Sequence, residues 1–328
     1  MKKIKDQGEK PYQLKFSKKP NVTEDFKGSL PDWCTSRLTS PQIVNQYKFP
    51  TAEMYFQRYH HDPFYVDVVS VNSEVPFSFD YQRQKNQIFL VCMLKGNATF
   101  ETLDEEHVSS VKKKHFYISH MIPGNYRIKL EKGVSIGIII TIKKTWAQKK
   151  LPQFTSLVNI LLPWQDCPRP YNILPQCPID AKIANLLKNI LAINSEPQIA
   201  QRHALLSYVA TILDLYNTEL IQQEDKLAFQ VKRYIDEHYS LYELNNQTIA
   251  AALYSTPKTI NNHFLSTFHI SIQQYIRWRR FKEAHYLITI KHKDIATAGI
   301  HVGYRDPVYF KKLYEEEKNK YLKMSELN

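Results

Sequence analysis

The stretch that most constrains the fold runs from Ile249 to Phe264 and has the sequence IAAALYSTPKTINNHF. Its first half places apolar residues at i, i+1 and i+4, which form one face of a short helix: Ile249, Ala250 and Leu253. Thr256 then breaks this periodicity, and Pro257 follows it. The pair marks the start of a new helix, because the Thr hydroxyl can accept hydrogen bonds from unpaired backbone N–H groups and Pro has no N–H to leave unpaired. The stretch therefore predicts a helix-turn-helix unit capped at Thr256.

The second helix of this unit is amphipathic. Apolar side chains four residues apart share its inward face: Ile260, Phe264 and Phe268. The outward face carries polar side chains: Lys258, Thr259, Asn261 and Asn262. In a major groove, Asn can pair bidentately with adenine, and Lys can bond guanine or a phosphate. We therefore expect these four side chains to contact DNA.

The same pattern occurs a second time, in IATAGIHVGYRDPVYFKKLYEE. Ile295 and Ala298 give an apolar helical face, and Gly303 can adopt the left-handed conformation that ends a helix. Asp306 before Pro307 repeats the cap-and-proline signal, 50 residues after the first cap. The inward pair of the new helix is Phe310 and Tyr314, and its expected DNA-facing side chains are Val308, Lys311 and Lys312. The chain therefore carries two helix-turn-helix units.

A single amphipathic helix is predicted between the two units, in SIQQYIRWRRFKEAHYLITI. Its apolar side would carry Tyr275, Ile276, Ala284, Leu287 and Ile288. Its basic side chains are expected to be mostly solvated: Arg277, Arg279, Arg280 and Lys282. Two units joined by one helix restrict the recognition helices to one fixed arrangement, so each subunit would contact a bipartite DNA site.

This ordered pattern resembles the AraC-type transcriptional regulators over roughly residues 227–328. The motifs that carry the resemblance are IA before the first turn, RRFKEA in the connecting helix and VGYRDPVYFKKLY in the second unit. The resemblance implies a sequence-specific, DNA-binding transcription regulator that is not an enzyme. It also implies that an N-terminal domain, often a cupin-like barrel in this family, senses a ligand or dimerises.

Three residues depart from the family pattern. His269 stands where the family usually has Gly after the first recognition helix, and Gly299 stands where Ala usually follows an Ile. Asn319 stands where a late Gly is usual, although Asn tolerates the left-handed backbone. These departures affect details of the two units and leave the order of the motifs intact.

The charge of the chain suits a polyanionic partner but does not locate the DNA site. The formal net charge is +12, and the C-terminal 102 residues hold 15 Lys and Arg against 10 Asp and Glu, so most of the excess lies upstream. Between Lys258 and Lys293, however, seven side chains are basic and only Glu283 is acidic. The motif, with this local excess, predicts double-stranded DNA as the partner.

The cysteines and the N-terminus predict a cytoplasmic protein. Cys34, Cys92, Cys167 and Cys177 match no zinc spacing and are too few for a disulfide scaffold, so we expect reduced thiols. The N-terminal segment is basic but lacks the apolar run of a signal peptide. No window reaches the roughly eighteen apolar residues of a membrane helix, so no membrane partner is predicted.

Upstream of the helix-turn-helix units, composition predicts an α+β chain. Residues 1–50 are polar and Lys-bearing, which predicts a partly ordered arm. Residues 51–178 hold at least six short β-branched and aromatic segments, followed by a Pro-rich connection; they predict an all-β barrel or sandwich. Residues 179–220 predict a helical hairpin, 221–226 a polar linker, and 227–328 the all-α DNA-binding domain.

Two further questions concern the all-β domain. Its aromatic side chains could line a pocket for a small-molecule effector or simply fill the core: Phe64, Tyr65, Phe77, Phe79, Phe89, Phe100, Phe116 and Tyr117. A metal-dependent cupin enzyme is the alternative function, but His60 and His61 are adjacent and would point to opposite faces of a strand. His115 and His120 lack the close spacing of a metal site, so neither a metal nor a cofactor is predicted.

The helices of residues 179–220 raise the question of oligomeric state. Two apolar stripes are present, one of them from Ala204 to Leu215, and Leu206 and Leu213 are assigned to a second surface off that stripe. An exposed apolar surface of this kind marks a partner site. We therefore expect a homodimer through this region, with mere covering of the barrel as the alternative.

Overall fold

The computed structural model describes residues 10–17, 19–83, 85, 87–154, 157, 171–193, 198–223 and 226–325. Their contacts divide into two compact units: Met1–Lys150 with Pro178–Ile212, and Leu151–Cys177 with Leu213–Asn328. No helix among the described residues is long and apolar enough to span a membrane. Cys167, residues 1–9, most of the Pro-rich connection and residues 224–225 of the predicted linker lie outside the described residues.

The first unit is built mainly of antiparallel strands: β1 (Gln13–Lys15), β2 (Asn21–Thr23), β3 (Ile43–Lys48), β4 (Ala52–His61), β5 (Phe64–Ser73), β6 (Phe77–Arg83), β7 (Gln87–Lys95), β8 (Ala98–Thr102), β9 (His107–Val111), β10 (His115–Met121), β11 (Gly124–Leu130) and β12 (Gly133–Ile142). One sheet has the order β1-β6-β11-β8-β9, and another runs β10-β7-β12-β5-β4-β3-β2. Two short strands follow later in the chain, β13 (Tyr171–Ile173) and β14 (Cys177–Pro178). The predicted order, a sheet-rich N-terminal region before a helical C-terminal region, is confirmed.

The three central strands of the larger sheet, β4, β5 and β12, hold its longest ladders. Phe64 pairs with Ile142 at one end, and Ser73 pairs with Gly133 at the other. Most residues of β5 are buried on both faces, which fits its run of Phe, Tyr and Val. Of the eight aromatic side chains assigned to a pocket or a core, all except the half-buried Phe77 are buried.

Residues 10–50 differ from the expected arm, because they contribute strands and buried side chains to the first unit. Strand β1 pairs with β6, and Tyr12 just before it is only 6% exposed. The Tyr12 hydroxyl donates to Asp67 Oδ2 at 2.6 Å, and Arg58 donates to both carboxylate oxygens of Asp67 at 2.6 and 2.8 Å. Burial raises the pKa of Tyr12 well above its usual value, so its proton stays in this bond. The expectation of an arm was based on the Lys-rich composition and did not take account of the few aromatic residues that anchor the segment.

The α-helices of the described residues are α1 (Lys144–Lys150), α2 (Ala181–Leu191), α3 (Gln198–Gln222), α4 (Leu227–His238), α5 (Asn246–Ala252), α6 (Pro257–Phe268), α7 (Ile272–Thr289), α8 (Ile295–His301) and α9 (Pro307–Ser325). Helices α4 to α9 lie in the second unit and form two cores. The first core joins α4, α5, α6 and the start of α7. The second joins the end of α7 with α8 and α9.

Helix α3 corrects one expectation about exposed surface. Leu213 is fully buried, so its assignment to a second, exposed surface is wrong. The reason is helical spacing: Leu213 lies four residues after the buried Val209 and therefore belongs to the buried stripe itself. Leu206 is half-buried and is the remaining candidate for an apolar contact outside the chain.

Candidate nucleic-acid interface

The first helix-turn-helix unit is formed by α5 and α6, and both helix starts are capped. Asn245 begins α5 with a reciprocal capping box, in which its side chain accepts from Thr248 N and the Thr248 side chain accepts from Asn245 N. The Thr256 side chain accepts from Thr259 N at 3.1 Å at the start of α6, and Pro257 occupies the first helical position. The predicted cap residue therefore lies at the helix start, where it fixes the direction in which α6 leaves the turn.

Helix α6 presents one apolar and one polar face. Ile260 and Phe264 are fully buried in the core with α4 and α7. The outward side chains of the first turns are Lys258, Thr259 and Asn262, all exposed, whereas Asn261 is half-buried. Burial of the apolar stripe orients the helix, so the exposed polar side chains share the opposite face.

Helix α6 ends in a left-handed residue. His269 has φ 55° and its N–H donates to Leu265 O at 2.9 Å. This backbone conformation explains why a glycine is usual at this place in the resembling family, since Gly adopts it without a steric penalty. His269 adopts it here at a local cost, and the helix ends at the same place.

The second helix-turn-helix unit, formed by α8 and α9, repeats the arrangement of the first. Asp294 caps α8 by accepting from Thr297 N at 2.9 Å, and hydrogen bonds from the side chain and the backbone of Thr297 lower the pKa of its carboxyl group. Asp306 caps α9, where its Oδ1 accepts from Val308 N at 2.8 Å and from Tyr309 N at 3.1 Å. The inward pair Phe310 and Tyr314 is buried, and the outward side chains Val308, Lys311 and Lys312 are exposed, Val308 to 79%.

Close packing requires the two glycines of the second helix-turn-helix unit. A Cβ on Gly299 would lie 2.4 Å from Phe310 Cδ1, so the absence of a side chain lets the Phe310 ring sit directly on α8. A Cβ on Gly303, which has φ 92°, would lie 2.5 Å from Ser240 O. The family departure at Gly299 is therefore matched by a large ring on the facing helix. Asn319, by contrast, has no left-handed role, because α9 continues through it to Ser325.

Arg280 corrects the prediction for the connecting helix α7. It was expected to be solvated but is only 8% exposed. Its Nε donates to Tyr239 O and its Nη2 to Leu241 O, both at 2.7 Å, and its guanidinium lies over the Tyr304 ring. Burial lowers the pKa of Arg280, but two carbonyl acceptors and a ring face compensate its charge.

The sequence contains a signal for the buried position of Arg280. Arg280 lies four residues after Ile276 and four before Ala284, which places it on the apolar stripe of α7. It binds the loop between α4 and α5 on one side and the turn after α8 on the other, so it links the two helix-turn-helix units. The other basic side chains of α7 behave differently: Arg277 is exposed, and Arg279 pairs with Glu283 at 3.4 Å.

No group of three His, Cys, Asp or Glu side chains among the described residues is close enough to hold a metal ion. His120 is only 2% exposed, and burial together with the positive charges of Arg83 and Lys144 lowers its pKa to about 3. Such surroundings keep the His120 imidazole neutral.

Comparison with known proteins agrees with the geometry of the two helix-turn-helix units. Residues 249–321 match the family model described as a helix-turn-helix domain. The comparison with curated proteins gives no match.

Three solved structures illustrate what the chain resembles. The C-terminal domain of AraT, a response regulator from Geobacillus stearothermophilus, is 20% identical, with 28% of this chain and 77% of that chain covered and a TM-score of 0.28. ToxT from Vibrio cholerae is 12% identical, with 80% and 98% covered and a TM-score of 0.32. The AraC-like transcriptional activator CuxR is 13% identical, with 72% and 82% covered and a TM-score of 0.31.

The family match, the two capped motifs and their exposed polar helices agree with one another. Residues 249–321 are therefore a helix-turn-helix domain of the AraC type, the domain of DNA-binding transcription regulators.

Proposed function

We propose that this chain regulates transcription by binding a bipartite DNA site with two recognition helices, α6 and α9. The observation that carries the proposal is the repeated geometry: each helix is capped at its start, buried on its apolar face and exposed on the face that carries polar or basic side chains. A helix of this kind fits the major groove, where its first turns reach the base edges.

The two recognition helices differ in the contacts that they offer. Helix α6 presents Lys258, Thr259 and Asn262, with Asn261 half-buried beside them, and is assigned to base reading. Helix α9 presents Val308, which can only make apolar contact, for example with a thymine methyl group, and Lys311 and Lys312, which are assigned to phosphates. The first helix would therefore supply most of the sequence preference.

The sheet-rich first unit of the chain is assigned a controlling role in the same proposal. It would bind a small-molecule effector or mediate dimerisation, and the homodimer would form through residues 181–220. The half-buried apolar side chains of α3 support a contact there: Leu206, Tyr208 and Leu215. A cytoplasmic location follows from a DNA partner and reduced cysteines; Cys34, Cys92 and Cys177 are free and buried.

Selection of bound DNA from a random duplex pool by the purified full chain tests the proposal. Enrichment of a motif with two conserved segments is expected, and the motif would supply the operator sequence. A pool without any enriched sequence would contradict sequence-specific binding. Competition between the selected and random duplexes then separates a regulator from an architectural DNA-binding protein, which would bind both equally.

A further inference from the structure

The turn between α5 and α6 contains an aromatic residue that contributes nothing to the packing of the chain. Tyr254 is 100% exposed, the highest value among the large apolar side chains that the structure exposes. The next highest is Val308 at 79%, on the second recognition helix. Both side chains lie within two residues of a recognition-helix cap: Tyr254 lies before Thr256, and Val308 lies after Asp306.

The backbone at Tyr254 is also unfavourable for an aromatic residue. Its φ is 49°, in the left-handed region that L-residues other than Asn and Asp seldom adopt. The turn demands this conformation, because Ser255 N donates to Ala250 O at 2.9 Å and Tyr254 N to Ala251 O at 3.3 Å. These bonds form the Schellman motif, in which the residue at the Tyr254 position is usually Gly.

The second helix-turn-helix unit provides an internal comparison. After α8, Tyr304 N donates to Gly299 O and Gly303 N to Ile300 O, both at 3.0 Å, so the same motif ends that helix. There the left-handed position holds Gly303, with φ 92°. The fold therefore accepts glycine at this place, and the tyrosine in the first unit is not explained by the requirements of the turn.

Tyr254 lies within reach of the DNA that α6 would contact. It precedes the cap residue Thr256 by two positions, so their Cα atoms are at most about 7.6 Å apart. A helix that enters a major groove has its start near the groove edge, where the phosphates run, and Tyr hydroxyls are among the groups that bond phosphate oxygens.

We propose that Tyr254 is a DNA-backbone contact of the first recognition helix, donating its hydroxyl hydrogen to a phosphate oxygen. The proposal rests on the proposed DNA-binding function and adds a contact that contributes affinity and position without sequence preference. The unfavourable backbone conformation and the exposed ring are then retained because of binding, at a cost to the free energy of folding.

Tyr254 is expected to strengthen DNA binding and to weaken folding, so its replacement in the full chain should change the two properties in opposite directions. Tyr254→Gly removes the side chain and relieves the backbone, so the melting temperature is expected to stay the same or rise. The Kd for the duplex selected from the random pool, and for an unselected duplex, is expected to increase by about tenfold in both cases, as for the loss of one hydrogen bond to a charged group. Tyr254→Phe, which loses only the hydroxyl, is expected to show most of this loss.

Asp25→Gly is the matched control. Asp25 also has φ 49° and is exposed, but it lies in the sheet-rich unit. Its replacement relieves the same backbone conformation and is expected to leave both Kd values unchanged.

Unchanged DNA affinity in Tyr254→Gly overturns the proposal, and so does a clearly lower melting temperature, which would show that the ring stabilises the fold. A loss confined to the selected duplex would mean a base contact and also overturns it. If the unmodified chain binds neither duplex, the proposed function itself fails, which the wild-type measurement reveals separately.

Discussion

At the residue scale, Asn262 offers the clearest test of base reading. It is exposed on the polar face of α6, whereas the neighbouring Asn261 is half-buried and has less freedom to reach a base. Asn262→Ala is expected to cost about 1–3 kcal/mol of binding free energy at one base pair, because a bidentate contact with adenine is lost. Competition assays with duplexes substituted at each position would measure it; equal weakening for every sequence would contradict the assignment.

Gly299 tests packing at the same scale. A Cβ there would lie 2.4 Å from Phe310 Cδ1, so Gly299→Ala must displace a buried ring. Overpacking typically costs about 1–3 kcal/mol, and the gain in helix propensity is about 1 kcal/mol, so the free energy of unfolding is expected to fall by up to about 2 kcal/mol. Urea unfolding measures this change.

A double-mutant cycle identifies the cause. With Phe310→Leu in place, the added methyl group of Gly299→Ala should cost less, because the ring that it meets is gone. Additive costs of the two substitutions would show that Phe310 is not the residue under strain.

At the scale of the element, helix α9 is expected to bind mainly the DNA backbone. Lys311 and Lys312 are exposed beside Val308, which offers no hydrogen bond to a base. Each phosphate that a cation neutralises adds about 0.9 to the slope of log K against log salt, so replacing both lysines with Gln should reduce the slope by about 1.8. Binding at several salt concentrations measures the slope. An unchanged slope would place these lysines away from DNA.

The junction around α7 is expected to fix the distance between the two half-sites. Arg280 donates to Tyr239 O and Leu241 O, so Arg280→Met removes two hydrogen bonds from a charged donor, at about 1.5–3 kcal/mol each if no water replaces it. The variant should keep its preference within each half-site but tolerate half-sites moved by one base pair. Binding to a series of spacer lengths measures this tolerance.

Two controls make the junction test independent of unfolding. Circular dichroism verifies that Arg280→Met remains folded under the conditions of the assay, and Arg277→Met removes an exposed charge from the same helix. A folded Arg280→Met with the spacer preference of the wild type would show that α7 alone sets the distance.

At the scale of the whole molecule, the open question is the homodimer through residues 181–220. Since Leu213 is buried within the chain, Leu213→Glu would disrupt the fold, and Leu206 is the side chain to change. We expect the full chain to sediment as a dimer and Leu206→Glu to convert it to a monomer. Ser207→Glu adds the same charge at the adjacent, exposed position and should not. A wild-type monomer at micromolar concentration would rule out the dimer.

The local sequence was sufficient to predict the helix-turn-helix units and the order of the two regions. The signals for these units act within one or two helical turns, so they can be identified without tertiary contacts. They are caps such as Thr256 and Asp306, the prolines after them, and apolar residues at helical spacing. The β-branched and aromatic segments likewise predicted a sheet-rich first region.

Only the tertiary structure decided which side chains those elements bury. Composition predicted an arm where Tyr12 reaches Asp67, 55 residues away, and the amphipathic pattern of α7 predicted solvent around Arg280, whose acceptors lie 41 and 39 residues away. Helical periodicity in α3 also placed Leu213 on a free surface, although the folded chain covers it. Local patterns specify where a helix or strand begins and which face is apolar, whereas the partner of a polar group on that face is supplied by a distant part of the chain. That partner exists only once the chain has folded.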